Sequence, residues 1–245
     1  MKILVASNLY PPMYIGGYEL RIRDIVEGLT ERGHEVYVLT SNYGVEKDHV
    51  EGRVYRCLPV FIYGYTKLPS DGVPTQFVSA VRGISTVRSL IRKHRIELVY
   101  MAKVQGFQEP VITALANSRV PVVWDISDLW LRTFGEGAWY SYWRRKPDHR
   151  YLSLPKTLMK RIVSKIVPTQ PGDMGFGRAC YTSHFLRDYY AQLGLPVAEA
   201  QVVHCGCPEM FYCDEEKDVP NDPFRFVYAG QFVEGKGVHT IIEAA

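Results

Sequence analysis

Apolar positions along this chain keep two rhythms, short unbroken runs and stripes that return every third or fourth residue, and the two alternate. Lys2–Ser7 is an apolar run of strand length, and Asn8–Gly17 is rich in turn-forming residues. Tyr18–Arg32 then carries Leu20, Ile22, Ile25, Val26 and Leu29 on one helical face, with Arg21, Arg23, Asp24 and Glu27 over much of the rest. Gly33 closes that helix, where a left-handed residue suits glycine. Glu35–Thr40 predicts a second strand closed by a turn at Ser41–Gly44, and Arg53–Ile62 a third, interrupted by Pro59. Tyr63–Pro74 reads as a loop of Gly, Tyr and Pro. A helix is predicted over Thr75–Arg92, with Phe77, Val81, Ile84, Val87, Leu90 and Ile91 inward. Strand Ile96–Met101, helix Gln108–Asn117 and strand Val120–Ile126 follow. This alternation predicts an α/β fold, a Rossmann-like parallel sheet with helices on both faces.

Leu129–Lys165 departs from that rhythm. Trp130, Phe134, Trp139, Tyr140, Tyr142, Trp143 and Tyr151 lie among nine Lys and Arg, opposed only by Glu136 and Asp148. Within it, Leu154–Val167 predicts an amphipathic helix with Leu158, Ile162 and Ile166 against Lys156, Lys160, Arg161 and Lys165. Two readings stay open: a peripheral membrane surface through 129–165, with aromatics at headgroup level and cations on anionic lipid, or an insertion packing its aromatics on its own domain. After Pro168–Gly177 come strand Ala179–Ser183, helix His184–Gly194 and strand Gln201–Cys205. Asp214–Pro223 is acidic, poor in apolar residues and proline-containing, as a linker would be. Residues 1–213 therefore read as one domain and 214–223 as its linker. Residues 224–245 repeat the opening pattern, strand, glycine loop and helix, as the first βα unit of a truncated second Rossmann-like domain.

Composition adds limits. With 47% apolar and 22% charged residues the chain is able to bury a core. A formal charge of +3 is too small to argue for nucleic acid. The start lacks a small-residue cleavage site, no segment approaches a spanning length, and five cysteines are an odd number. The expectation is a cytoplasmic protein with free thiols, placed at the inner membrane surface if the membrane reading holds.

Candidate chemistry sits at strand ends. The opening loop lacks G-x-G-x-x-G, but Gly16 and Gly17 precede a helix whose N-terminus offers unpaired N–H groups and partial positive charge, a place for phosphate or else a plain tight turn. The second loop, Gly230–Gly237, adds Lys236 at the first turn of a helix, where a cation is unfavourable unless an anion is bound. Asp125 and Asp128 follow a buried strand at its carboxyl end, so that either one holds an acceptor hydroxyl or serves as base, while Asp128 equally suits a helix cap at Leu129. His204, Cys205, Cys207 and Cys213 lack the paired knuckles of a zinc site and read as buried thiols near a strand end; no metal is expected.

Four stretches in order carry a resemblance. P-P-x-x-x-G-G-x-E at Pro11–Glu19 with R-G-H-E-V at Arg32–Val36, PVVWDISDLW at Pro121–Trp130, QVVHCGCPEMF at Gln201–Phe211 and Phe226–Ala244 together resemble the retaining GT-B glycosyltransferases of the family 4 type. The resemblance implies transfer of a sugar from a nucleotide-diphosphate donor to an acceptor hydroxyl, with retention. It implies a carbohydrate or lipid-linked acceptor on the first domain, and no cofactor. Donor phosphate would meet Gly16, Gly17, Gly230, Gln231 and Lys236, fixed cations replacing a metal at the leaving diphosphate. The acceptor would meet Glu19, Asp125, Ser127 and Asp128, with Lys236 and Asp128 catalytic. The chain departs from the family pattern where Gln231 replaces an arginine, Ser127 a histidine, and Cys205-Gly206 an Asn-Gly pair. The family's acidic donor-binding signature would fall after residue 245, so the chain by itself is expected to be inactive. A non-catalytic module that binds acceptor or partner is the alternative.

Overall fold

Ile3, Leu4, Val5 and Ala6 are closed to solvent, and they make β1 (Lys2–Ala6) an inner strand of a sheet of eight. The computed structural model describes residues 1–62, 72–146, 153–176, 178–206, 212 and 226–244. The other strands are β2 (Glu35–Ser41), β3 (His49–Glu51), β4 (Val54–Leu58), β5 (Leu98–Met101), β6 (Val122–Ile126), β7 (Ala179–Tyr181) and β8 (Gln201–Val202). Their order is β3-β4-β2-β1-β5-β6-β7-β8. Every neighbouring pair is parallel except β3 with β4. The chain builds outward from β1 through β2 to β4, then crosses back to place β5 on the other side of β1. That reversal puts a topological switch point between the carboxyl ends of β1 and β5, where doubly wound sheets hold their ligands.

Alternation along the strands assigns the helices to faces. Leu4, Leu39, Val99, Met101, Trp124 and Ile126 point to one face, against Val87 and Leu90 of α2 (Val73–His94), Leu115 of α3 (Glu109–Ala116) and Tyr190 of α6 (His184–Gln192). Ile3, Val5, Val36 and Val38 point the other way, against Ile22 of α1 (Gly17–Glu31). Each such side chain, fully buried, contributes roughly 1.5–3 kcal/mol. A third cluster joins Ala80 and Ile84 of α2 to Trp139, Tyr140 and Trp143 of α4 (Ala138–Arg144) and to Val167. Gly83 sets the approach of α2 to α3, since a Cβ there would lie 2.6 Å from Val111 Cγ2.

The expected α/β fold with helices on both faces is what forms, with local differences. β4 stops at Leu58 because Pro59 has no N–H for the ladder. The three exposed residues of β3 add an antiparallel edge that lay hidden in a polar stretch. The amphipathic helix α5 spans Ser153–Val163 rather than reaching Val167. Trp130, Trp139, Tyr140 and Trp143 are buried, so these aromatics of 129–165 are core and do not reach a membrane headgroup layer.

The chain divides into two units, Met1–Cys205 and Gly206–Ala245. The expected linker at 214–223 lies outside the described residues, as do Cys207, Cys213 and most of the loop at 63–74. In the second unit, the predicted strand does not form over the described residues Phe226–Ala229, and Phe226 and Val227 are exposed. The helix of that unit, α7 (Val238–Ala244), is present.

Candidate functional site at the sheet switch point

The loop after β1 is fixed before any ligand is considered. The Asn8 N–H donates to the Lys103 carbonyl at 2.6 Å and its side-chain amide to the Gln105 carbonyl at 3.0 Å, tying together the two loops that flank the switch point. Beneath the loop, buried Arg56 of β4 donates to the carbonyls of Tyr10 and Pro11. Burial pulls the Arg56 guanidinium below its ordinary pKa, although nearby Glu51 opposes that.

Gly16 is the N-cap of α1, with an extended backbone at φ −150° and ψ −170°, and has no side chain with which to cap the helix. Glu19 does that work: its Oε2 accepts from the Gly16 N–H at 2.9 Å and from the Ile15 N–H at 3.4 Å. Predicted as an acceptor contact, Glu19 is instead buried and holds the entry to the helix, as the third helical position of a capping box does. A Cβ on Gly17 would meet nothing within 4 Å, and neither glycine has a positive φ. The fold therefore does not require glycine at Gly17, and the bare backbone there stands open to approach.

Asp125 also moves inward. Trp124 and Ile126 face α2 and α3, so alternation turns Asp125 toward α1. Its carboxylate is closed to solvent, Oδ2 lying 3.0 Å from Arg21 Nη2 and accepting from the Tyr100 hydroxyl at 2.7 Å. Burial would lower the Arg21 pKa, but the Asp125 charge and hydrogen bond outweigh it and raise the value. Burial, and then the Asp125 charge, push both the Tyr100 and Tyr18 hydroxyls well up. An acceptor hydroxyl has no access to this carboxylate.

Asp128 stays partly exposed and is held from two sides. Its Oδ1 accepts from the Trp130 N–H at 3.0 Å, at the start of the short 3₁₀ turn Trp130–Thr133 whose N-cap is Leu129, while its Oδ2 lies 2.9 Å from Lys103 Nζ. Ser127 stands beside the Tyr18 hydroxyl. Arg21 and Lys103 each lie 5.8 Å from the centroid of the Tyr18 ring. The structure thus brings Ser127 and Asp128 together with Tyr18, Arg21, Tyr100 and Lys103, which sequence reasoning did not single out. Tyr18 and Arg21 share the start of α1 at a three-residue spacing, and Lys103 follows a strand end as Asp128 does. Those positions were the available signal.

A cavity of about 590 Å³ is lined by α2, α3, the start of α4 and the loops that follow β4, β5 and β6. Phe61, Phe107, Trp130, Phe134 and Trp139 supply apolar wall, and Gln108 and Glu109 supply polar groups. The Gln108 side-chain oxygen is buried with no hydrogen-bond partner among the described residues. Glu109, at the start of α3, accepts from the Gly137 and Tyr140 N–H groups at 3.0 Å each. Burial raises its pKa against the pull of those bonds. Walls of this kind suit a ligand with an apolar face and a few hydroxyls.

In the second unit, Lys236 does not lie in the first turn of α7. It ends the 3₁₀ turn Glu234–Lys236, and Gly237, at φ +68°, separates it from the helix. The Gln231 carbonyl accepts from the Tyr228 hydroxyl at 2.9 Å, and a Cβ on Gly230 would lie 2.7 Å from that hydroxyl. Cys205 is exposed, contrary to the buried thiol expected, because β8 is only two residues long and the chain leaves the sheet directly after it. His204 Nδ1 lies 3.1 Å from the Thr182 carbonyl. Among the described residues no group of His, Cys, Asp and Glu is placed to hold a metal ion.

The domain is a doubly wound α/β sheet with a polar cluster at the carboxyl ends of its strands and a cavity walled by α2, α3 and the loops after β4, β5 and β6. Residues 16–206 match the glycosyl transferase 4-like domain, and the chain belongs to that family. It is 39% identical over 62 residues to an uncharacterized glycosyltransferase of Methanocaldococcus jannaschii, a stretch that covers 24% of this chain and 16% of that protein. It is also similar to the sucrose-phosphate synthase of Thermosynechococcus elongatus, at a TM-score of 0.46 and 13% identity, over 84% of this chain and 48% of that one. MurG of Acinetobacter baumannii is similar at a TM-score of 0.44 and 10% identity, over 84% and 46%. The chain spans a small part of the curated relative and under half of either of these two solved chains.

Proposed function

We propose that the protein transfers a hexosyl-type sugar from a nucleotide-diphosphate donor to an acceptor hydroxyl, with retention and without a metal. The observation that supports this best is the match to the glycosyl transferase 4-like domain across the segment that carries the switch-point cluster and the cavity. In this reading Gly16 and Gly17 offer bare backbone and the α1 N-terminus to donor phosphate. Gly230, Gln231 and Lys236 supply further contacts, with Lys236 as the cation that stabilises the charge growing on the departing diphosphate. Gln231 hydrogen-bonds a phosphate oxygen but brings neither charge nor the guanidinium fork.

Ser127 and Asp128 face the acceptor hydroxyl, and the ion pair with Lys103 holds the Asp128 side chain in place. Asp125 and Glu19 keep positioning roles, through Arg21 and through the α1 cap. The carbohydrate or lipid-linked acceptor lies in the cavity, its apolar part on Phe107, Trp130 and Trp139 and a hydroxyl on Gln108. The protein works in the cytoplasm, with peripheral membrane contact through part of 129–165.

Calorimetry with UDP and GDP sugars on the 245-residue chain tests the donor assignment, together with release of nucleoside diphosphate in the presence of sugar acceptors. Donor binding that weakens about tenfold or more in Lys236→Ala is the expected result, the loss of one charge-assisted contact being worth about 1.5–3 kcal/mol. Binding that is indifferent to Lys236→Ala and to Gly17→Val overturns the phosphate assignment. Acceptor binding with no donor binding at all favours the non-catalytic module.

A further inference from the structure

Helix α5 has no buried residue. Leu154, Leu158, Met159 and Ile162, with Ile166 in the turn that follows, are all exposed, Leu154 at 81% and Leu158 at 61%. At about 100° per residue the four helical positions Leu154, Leu158, Met159 and Ile162 fall within an arc of about 140°. Four large apolar side chains on one arc, continued by Ile166 in the turn, are more than scattered surface exposure and mark a contact surface.

The charges around this arc identify the partner. Residues 153–166 contain Lys156, Lys160, Arg161 and Lys165 and no Asp or Glu. Lys156 Nζ donates to the carbonyls of Tyr142 and Arg145 at 2.7 and 2.6 Å, and Lys160 Nζ reaches the Trp143 carbonyl at 3.5 Å. Those two lysines therefore fasten the inner edge of α5 to the last turn of α4. That turn is itself anchored, with Trp139 and Trp143 buried and Trp139 Nε1 donating to the Pro168 carbonyl at 2.6 Å. Arg161 lies instead at the edge of the apolar arc, Lys165 follows in the turn after the helix, and both are exposed.

We infer that α5 lies flat in the interface of an anionic lipid bilayer, its apolar arc in the acyl boundary and Arg161 and Lys165 on lipid phosphates. An 11-residue helix is about 16 Å long, too short to span a bilayer and suited to lying within its surface. Among the described residues no helix is long and apolar enough to cross a membrane. The inference narrows the contact from 129–165 to α5, because the tryptophans of that stretch are core, and it stands independently of the transfer reaction.

Flotation of the full chain with phosphatidylcholine vesicles, with and without phosphatidylglycerol, tests it. Binding is expected only with phosphatidylglycerol and is expected to weaken as salt rises. Arg161→Ala/Lys165→Ala is expected to weaken it about thirtyfold, at about 1 kcal/mol for each cation near the surface. Leu158→Asp/Ile162→Asp is expected to abolish it. Circular dichroism and the melting temperature of both variants should match wild type, since all four side chains are exposed. Failure to bind phosphatidylglycerol vesicles overturns the inference, as does binding unaffected by either variant. Sedimentation equilibrium showing a dimer that Leu158→Asp/Ile162→Asp dissolves also overturns it, and assigns the arc to a second copy of the chain.

Discussion

Arg21 and Asp125 stand 104 positions apart in sequence and meet at 3.0 Å, where they join the first turns of α1 to the carboxyl end of β6. The pair lies under the switch point, and the Tyr100 hydroxyl completes it from β5. Breaking one side of such a pair leaves an uncompensated charge, which costs more than removing both sides. Asp125→Ala should therefore lower stability to urea by about 3–5 kcal/mol. Arg21→Met/Asp125→Leu should lose clearly less than Asp125→Ala. Equal losses in the two variants would mean that the pair is not coupled.

Gly17 separates folding from binding. Because a Cβ there meets nothing within 4 Å and the backbone is ordinary, Gly17→Ala should keep stability or raise it by about 0.4–1 kcal/mol, through a less flexible unfolded chain. If the α1 N-terminus receives donor phosphate, the same methyl group should weaken nucleoside diphosphate binding. A thermal melt and a calorimetric titration on one preparation read both effects. Higher melting temperature with unchanged diphosphate affinity would leave this glycine to the turn alone.

The sheet and its helices are legible in the sequence because burial on two faces leaves unbroken apolar runs, and β1, β2, β5 and β6 show them plainly. Glycine and proline mark several of the ends, as at Gly33 and Pro59. The edge strand β3 is not legible, since an exposed three-residue strand has neither period nor apolar content. Asp125, Asp128 and Glu19 are recognisable as carboxylates at strand and helix ends, but their partners are not. Whether a carboxylate there meets a ligand or a guanidinium depends on contacts such as Arg21 with Asp125 and Lys103 with Asp128, which register and alternation create only in three dimensions. The cavity is invisible for the same reason: its walls come from loops after three separate strands and from α2, α3 and α4.

Gly106 is where the fold itself demands glycine. Its φ is +90°, and a Cβ would lie 2.1 Å from the Phe61 carbonyl oxygen. The Phe61 N–H also donates to the Gly106 carbonyl at 2.8 Å, so the loops after β4 and β5 are joined at this point on the cavity rim. Gly106→Ala should cost roughly 1–3 kcal/mol from the backbone conformation alone and should disturb the rim. Faster amide exchange at Phe61 would report it. Exchange and stability equal to wild type would contradict the close approach.

Glu109 gives a pH dependence whose sign follows from its burial. In the folded protein burial raises its pKa above the ordinary 4.5, and the Tyr140 and Gly137 N–H bonds only partly offset that. Below 4.5 the carboxyl is protonated in both the folded and the unfolded chain, and it makes no difference to the slope of stability against pH. Above 4.5 the unfolded chain releases the proton while the folded protein still holds it, so stability falls as pH rises, by at most about 1.4 kcal/mol per pH unit. The fall ends once pH passes the raised folded value, leaving a constant deficit at neutral pH. Glu109→Gln removes the titration at the cost of one acceptor, because only one amide oxygen remains for two N–H donors. Urea midpoints for both proteins from pH 4 to 8 should show the wild-type advantage over Glu109→Gln shrinking as pH rises. An advantage that grows instead would mean that the two N–H groups hold the carboxylate more strongly than burial opposes it.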